Sequence, residues 1–151
     1  MRATSSLSTF ANATYCFPKA DFHHLHDRYR RGERDNWQMA AFADSILPIH
    51  HAGRCILFGV DFELSDGVVA RPFPGHSPGH SAIFLALNSR RLIFCGDVFH
   101  HPLQVSHPDL RPIYDQDSDK AAESRKLLLA ELAREGSILM PSHFAQTDDK
   151  A

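Results

Sequence analysis

Three side chains along this sequence have the types and placement to grip a cation together. His76 follows an apolar run that ends at Phe73 and a Pro74-Gly75 turn. Asp97 follows the run Leu92 to Cys95 after a single Gly96, and His143 follows Ile138 to Met140 after Pro141-Ser142. Each stands just past the end of an apolar strand, where a sheet can hold a side chain rigidly at its rim. If those strands run in compatible directions, the three converge. Two imidazoles and a carboxylate suit zinc, iron or manganese better than calcium. Taken singly, each position has an ordinary explanation: Gly-Asp after a strand is common turn chemistry, and a His beside Pro-Gly can cap a loop. No Gly-x-Ser-x-Gly elbow offers a competing serine nucleophile.

The elements that must hold these residues can be read from the pattern. Ala13 to Phe17 is a short strand closed by Pro18, and Ala20 to Arg31 is a polar helix. Trp37, Met39, Phe42, Ile46 and Ile49 recur at helical intervals up to Gly53, with Pro48 expected to end or kink that helix. Beyond Gly53 come short apolar runs at Cys55 to Val60, Val68 to Phe73, Ala82 to Leu87 and Arg91 to Cys95, the last two joined by a tight turn at Asn88-Ser89. A Pro-rich stretch from Pro102 to Pro112 precedes a helix from Asp117 to Glu135. That helix has acidic residues (Asp115, Asp117, Asp119) at its positive end, Gly136 as its stop, and Ala121, Leu128 and Leu132 as its apolar stripe. Strands flanked by helices say mixed α and β.

Composition narrows the function. The 151 residues suit one domain, and sixteen basic against eighteen acidic residues leave a net charge of −2, which offers no phosphate-binding surface. Nucleic acid is therefore an unsuitable partner. No apolar run is long enough to span a bilayer, and Met1 to Ser6 is followed by no apolar h-region, so neither a membrane span nor a signal peptide is expected. Cys16, Cys55 and Cys95 form no CxxC pair, which fits a reducing, cytoplasmic setting. Eleven histidines in so ordinary a composition direct attention back to metal.

The segment Phe73-Pro74-Gly75-His76-Ser77-Pro78-Gly79-His80 resembles the TPGHTPGH signature of metallo-β-lactamase-fold hydrolases. Ile93-Phe94-Cys95-Gly96-Asp97 resembles that family's apolar strand ending in Gly-Asp. The run Gly96 to Gln104, with Pro141-Ser142-His143-Phe144, resembles the branch of quorum-quenching lactonases and related esterases. The resemblance implies an αββα sandwich in the α+β class, with a two-zinc site (iron or manganese being alternatives). His76 would bind the first metal, Asp97 would bridge both, and His143 would bind the second. His80 would have a packing or hydrogen-bonding role. The substrates implied are small-molecule esters or lactones, attacked by a water activated between the metals.

Two departures from the pattern limit these expectations. The family's His-x-His-x-Asp-His motif is absent. His23-His24-Leu25-His26-Asp27 is no substitute, because Asp27 follows His26 directly and the segment reads as a solvated helix face. The 151 residues thus read as one partial domain, the C-terminal half of the sandwich plus part of its middle, of which a shortened reading frame is the simplest cause. Each half of the fold supplies about one sheet, so such a chain should expose an apolar patch that a homodimer or a complementing N-terminal fragment would cover. The second departure is at His100, where many lactonases of this fold carry a tyrosine near the substrate carbonyl. His100 is the candidate hydrogen-bond donor or acid beside Asp97. The rival expectation is a non-catalytic remnant or partner module that binds metal weakly or not at all.

Overall fold

The computed structural model describes residues 10, 12–34, 36–134 and 136–144. The start at Met1 to Ser6 and the helix end at Glu135 lie outside the described residues. The chain divides into two compact units, Met1–Phe58 and Gly59–Ala151.

In the first unit, β1 (Tyr15–Pro18) pairs in parallel with β2 (Cys55–Phe58). Parallel partners need a crossover, and helices supply it: α1 (Lys19–Arg30), α2 (Trp37–Ala41), a π-helical turn (Phe42–Ile46) and α3 (Leu47–His51). Asn36 caps α2, its side chain accepting from the Met39 N–H at 3.0 Å. The helix does not end at Pro48. Pro48 has no N–H to give a carbonyl one turn back, and the wider i→i+5 spacing of the preceding turn lets the chain stay helical through it. Phe22, Phe42 and Leu47 form this unit's buried cluster. His23, His24 and His26 lie on α1 rather than on a ligand loop, and the ring of His26 stacks on that of Phe22 at 5.7 Å.

The second unit is built on a five-stranded sheet in the order β3 (Phe62–Ser65), β4 (Val68–Pro72), β5 (Ser81–Leu87), β6 (Arg90–Gly96), β7 (Ser137–Pro141). Strand β3 was not expected from the sequence. It pairs with β4 through Asp66-Gly67, a dipeptide that favours tight hairpins, with Gly67 at φ +71°. The β5–β6 turn falls at Asn88-Ser89 as expected, with Asn88 at φ +53°. A four-residue helix, α4 (Leu103–Ser106), interrupts the Pro-rich stretch, and α5 spans Ser118–Leu132 with Asp117 as its N-cap. The stop comes before Gly136, which itself leads into β7.

Helix α5 lies on one face of the sheet. Leu128, fully buried, joins Phe84, Ile93 and Cys95 in the core, with Leu129, Leu132 and Leu139 packed around them. Burying one such leucine stabilises the fold by about 1.5–3 kcal/mol. The register partners Phe84 and Ile93 put that set on one face, and strand alternation turns Leu92 and Phe94 to the other. There Phe94 pairs with Met140 and Leu92 with Ile138. Phe94, Ile138 and Met140 are 41%, 37% and 38% exposed, an apolar group beside the edge strand β7. Among the described residues no helix is long and apolar enough to cross a membrane.

Candidate metal centre

Strand direction decides where the three candidate residues go. β4 is antiparallel to β5, β5 is antiparallel to β6, and β6 is parallel to β7. Two reversals restore the direction, so β4, β6 and β7 all end along the same edge of the sheet. The loops that follow those ends carry His76, Asp97 and His143. Nε2 of His143 lies 2.7 Å from Oδ1 of Asp97, and Nε2 of His76 lies 3.1 Å from Oδ2. Each carboxylate oxygen therefore faces a different imidazole. The donor set, two imidazoles and one carboxylate, fits zinc. Burial pushes the Asp97 carboxyl up. The hydrogen bond from His143 and the charges of His76 and His143 together outweigh it and hold the group below its ordinary range.

The loops are locked by small residues and by backbone hydrogen bonds. Gly75 sits at φ +135°, and a Cβ there would collide with the backbone of Ala121 on α5. The Asp117 N–H donates to the Gly75 carbonyl at 2.9 Å, and Ser124 Oγ donates to the Pro74 carbonyl at 2.6 Å. At the next loop, the Asp97 N–H donates to Nε2 of His80 at 2.9 Å. His80 thus holds the backbone of a site residue, and Gly96 leaves room for its ring, since a Cβ there would lie 2.9 Å from Nε2.

His100 completes the wall. Its ring lies 5.0 Å from that of His76, 5.2 Å from that of His143, with which it is stacked, and 5.7 Å from that of Tyr114. The buried side chain of Gln104 accepts from the N–H groups of His100 at 2.7 Å and His101 at 3.1 Å, fixing this turn. Burial lowers the imidazole of His100 below its usual range, helped by the charge of His76, while Asp97 and Asp115 pull the other way. His76, Asp97, His100, Tyr114 and His143 line an open cleft of about 480 Å³, within the range of small-molecule sites. Among the described residues, Asp97, His100 and His143 offer donor atoms within 4.8 Å of one another, as do His76, His100 and Asp115.

Sequence reasoning missed Tyr114, Gln104 in its supporting role, and the pair of Asp115 with Arg125. Nothing in the pattern placed the Pro-rich stretch against the site. Asp115 was visible only as one acid among several before α5.

The sequence model of the Metallo-beta-lactamase superfamily matches residues 7–143. The chain belongs to that superfamily. Over 38 residues, 25% of this chain, it is 42% identical to probable metallo-hydrolases of Mycobacterium bovis and Mycobacterium tuberculosis, covering 12% of each. Among solved structures, the hydrolase AbOPH of the β-lactamase superfamily superposes with a TM-score of 0.72 at 22% identity, over 94% of this chain and 53% of its own. AidC, a dizinc quorum-quenching lactonase solved with a homoserine product, gives 0.69 at 20% identity, over 91% and 50%. A quorum-quenching N-acyl homoserine lactone hydrolase gives 0.71 at 20% identity, over 93% and 52%. At such identities the likeness is one of fold. The chain spans about half the length of the solved structures it matches.

Proposed function

We propose that this chain supplies His76, Asp97 and His143 to a two-zinc hydrolytic centre acting on small-molecule esters or lactones. The observation that carries the reading is the carboxylate of Asp97, with one oxygen toward Nε2 of His143 and the other toward Nε2 of His76. Zinc held there, or iron or manganese, would supply the Lewis acidity that lowers the pKa of a water and polarises a carbonyl. Asp97 would bridge, with its backbone fixed by His80, while His76 and His143 would each bind one cation. His100, in the cleft wall three residues past Asp97, would donate a hydrogen bond from its neutral imidazole near the substrate carbonyl. Superposition on lactonases supports the substrate class only through the shared fold.

A second reading has its own support. The sequence contains no His-x-His-x-Asp-His, and the chain spans half the length of its structural neighbours. Under it, the 151 residues are one partial domain that alone binds metal weakly or not at all; a chain carrying the missing motif would complete its centre, and that chain or a second copy would cover its apolar sheet face. The exposed group of Phe94, Ile138 and Met140 is where such a partner would pack.

Elemental analysis after zinc loading and desalting tests the first reading, followed by an ester and lactone assay. Retained zinc and hydrolysis above background are expected. In Asp97→Ala both should vanish, with a loss of affinity beyond the roughly 10–100-fold that an outer partner costs. Zinc-free wild-type protein would sink the first reading. Zinc retention or hydrolysis appearing only on mixing with a chain that carries the motif would establish the second.

A further inference from the structure

The strongest unexplained feature near the centre is a fully buried ion pair. Asp115 and Arg125 have no exposed side-chain surface, with Nη1 of Arg125 3.0 Å from Oδ2 of Asp115. The guanidinium also donates through Nε to the Pro108 carbonyl at 2.7 Å and through Nη2 to the Leu110 carbonyl at 2.8 Å. Arg125 is thereby satisfied, but Asp115 is not: its Oδ1 is buried without a hydrogen-bond partner. Buried carboxylate oxygens are rarely left so, because desolvation without a partner is costly. Facing Oδ1 at 3.6 Å is Nδ1 of His76, a ring nitrogen that is also buried without a partner.

We propose that Asp115, clamped by Arg125, is a positioning residue: its Oδ1 accepts the Nδ1 proton of His76 and so keeps Nε2 of that ring turned to Asp97. Its use in zinc binding rests on the metal-site reading above; the pairing itself does not. The backbone around His76 is already fixed. The Gln116 N–H donates to the His76 carbonyl at 3.3 Å, the Asp117 N–H to the Gly75 carbonyl, and Ser124 to the Pro74 carbonyl. What those bonds leave undetermined is rotation of the imidazole about its own axis and the nitrogen that carries the proton. A small turn of the ring brings 3.6 Å to hydrogen-bonding distance. A carboxylate behind a ligating histidine selects the tautomer, orients the ring and raises its basicity. His100 is the rival partner for Asp115, since its Nδ1 is buried without a hydrogen bond too.

The test begins without metal. In Asp97→Asn, which removes the carboxylate competing for Nε2, nitrogen-15 NMR of the imidazoles at mildly alkaline pH should show His76 as the Nδ1–H tautomer. Adding Asp115→Leu and Arg125→Met together leaves no buried charge unpaired and should shift His76 toward Nε2–H. An Nε2–H tautomer before that change, an Nδ1–H tautomer surviving it, or a proton shared with His100 would overturn the proposal. The first measurement leaves Asp115 untouched, so it stands even if the combined variant folds poorly. In the otherwise wild-type chain, Asp115→Leu with Arg125→Met should weaken zinc binding about 10–100-fold, and unchanged affinity also overturns the proposal. Zinc binding by neither protein refutes the metal-site reading, while the tautomers still decide the role of Asp115.

Discussion

His100 shows how a single side chain carries a pH signature. Its imidazole is held below the usual range mainly by burial, so the folded protein resists protonating it, whereas the unfolded chain takes up the proton near its ordinary pKa of about 6.5. Below that point the unfolded state binds more protons, and stability falls with pH until the folded group titrates as well. Metal-free wild-type protein should therefore lose thermal stability more steeply than His100→Gln as pH falls below about 6.5. Parallel melting curves for the two would show that His100 is not protected from protons in the fold. Asp97 works in the opposite sense, its lowered carboxyl favouring the fold above its unfolded pKa, with that contribution lost as pH falls through the folded one. At this scale the sequence was informative about the three residues at the sheet rim and about His100, whose strand-end spacing and motif context can be read locally. It was uninformative about Asp115, because that role depends on Arg125, which reaches it from α5.

Elements bring those residues together, and a glycine shows how tightly. Gly75 lets the loop after β4 lie directly on Ala121 of α5. Gly75→Ala should push that loop off the helix, and either the Ser124–Pro74 or the Asp117–Gly75 hydrogen bond must break. We expect a destabilisation of about 1–3 kcal/mol with zinc affinity lowered alongside it; unaltered denaturant midpoint and zinc affinity would show that the contact constrains nothing. Strands β4 to β7 and helix α5 were legible because alternation and an apolar stripe survive in the residues themselves. β3 was not, since Phe62-Glu63-Leu64-Ser65 is too short and mixed to stand out without weight on the Asp66-Gly67 turn. Nor was the π-helical turn, a local rearrangement just before Pro48 through which the chain stays helical.

At the scale of the whole chain, the sheet face opposite α5 carries the next question. Phe94, Ile138 and Met140 form an exposed group along β7, the edge strand among the described residues, and exposed apolar surface at a sheet edge favours association. If a second copy covers it, sedimentation should show dimers in the wild type and monomers in Phe94→Glu, with the melting temperature little changed. A wild type that sediments as a monomer across the concentration range would remove the homodimer and leave the complementing chain. The resemblance, which implies two sheets, led to the expectation of an uncovered apolar face. Which residues form it required the register, because a shift of one position exchanges Phe94 for Ile93.

The common direction of β4, β6 and β7 has a practical corollary. Since their ends carry the candidate ligands, their beginnings, with the tight turns at Asp66-Gly67 and Asn88-Ser89, lie along the far margin of the sheet. That margin is a natural handle. A dye or an affinity peptide spliced into Asn88-Ser89 would ride a strand's length away from the cleft, and so give a surface on which the protein can be tethered, labelled or displayed with its chemistry facing outward.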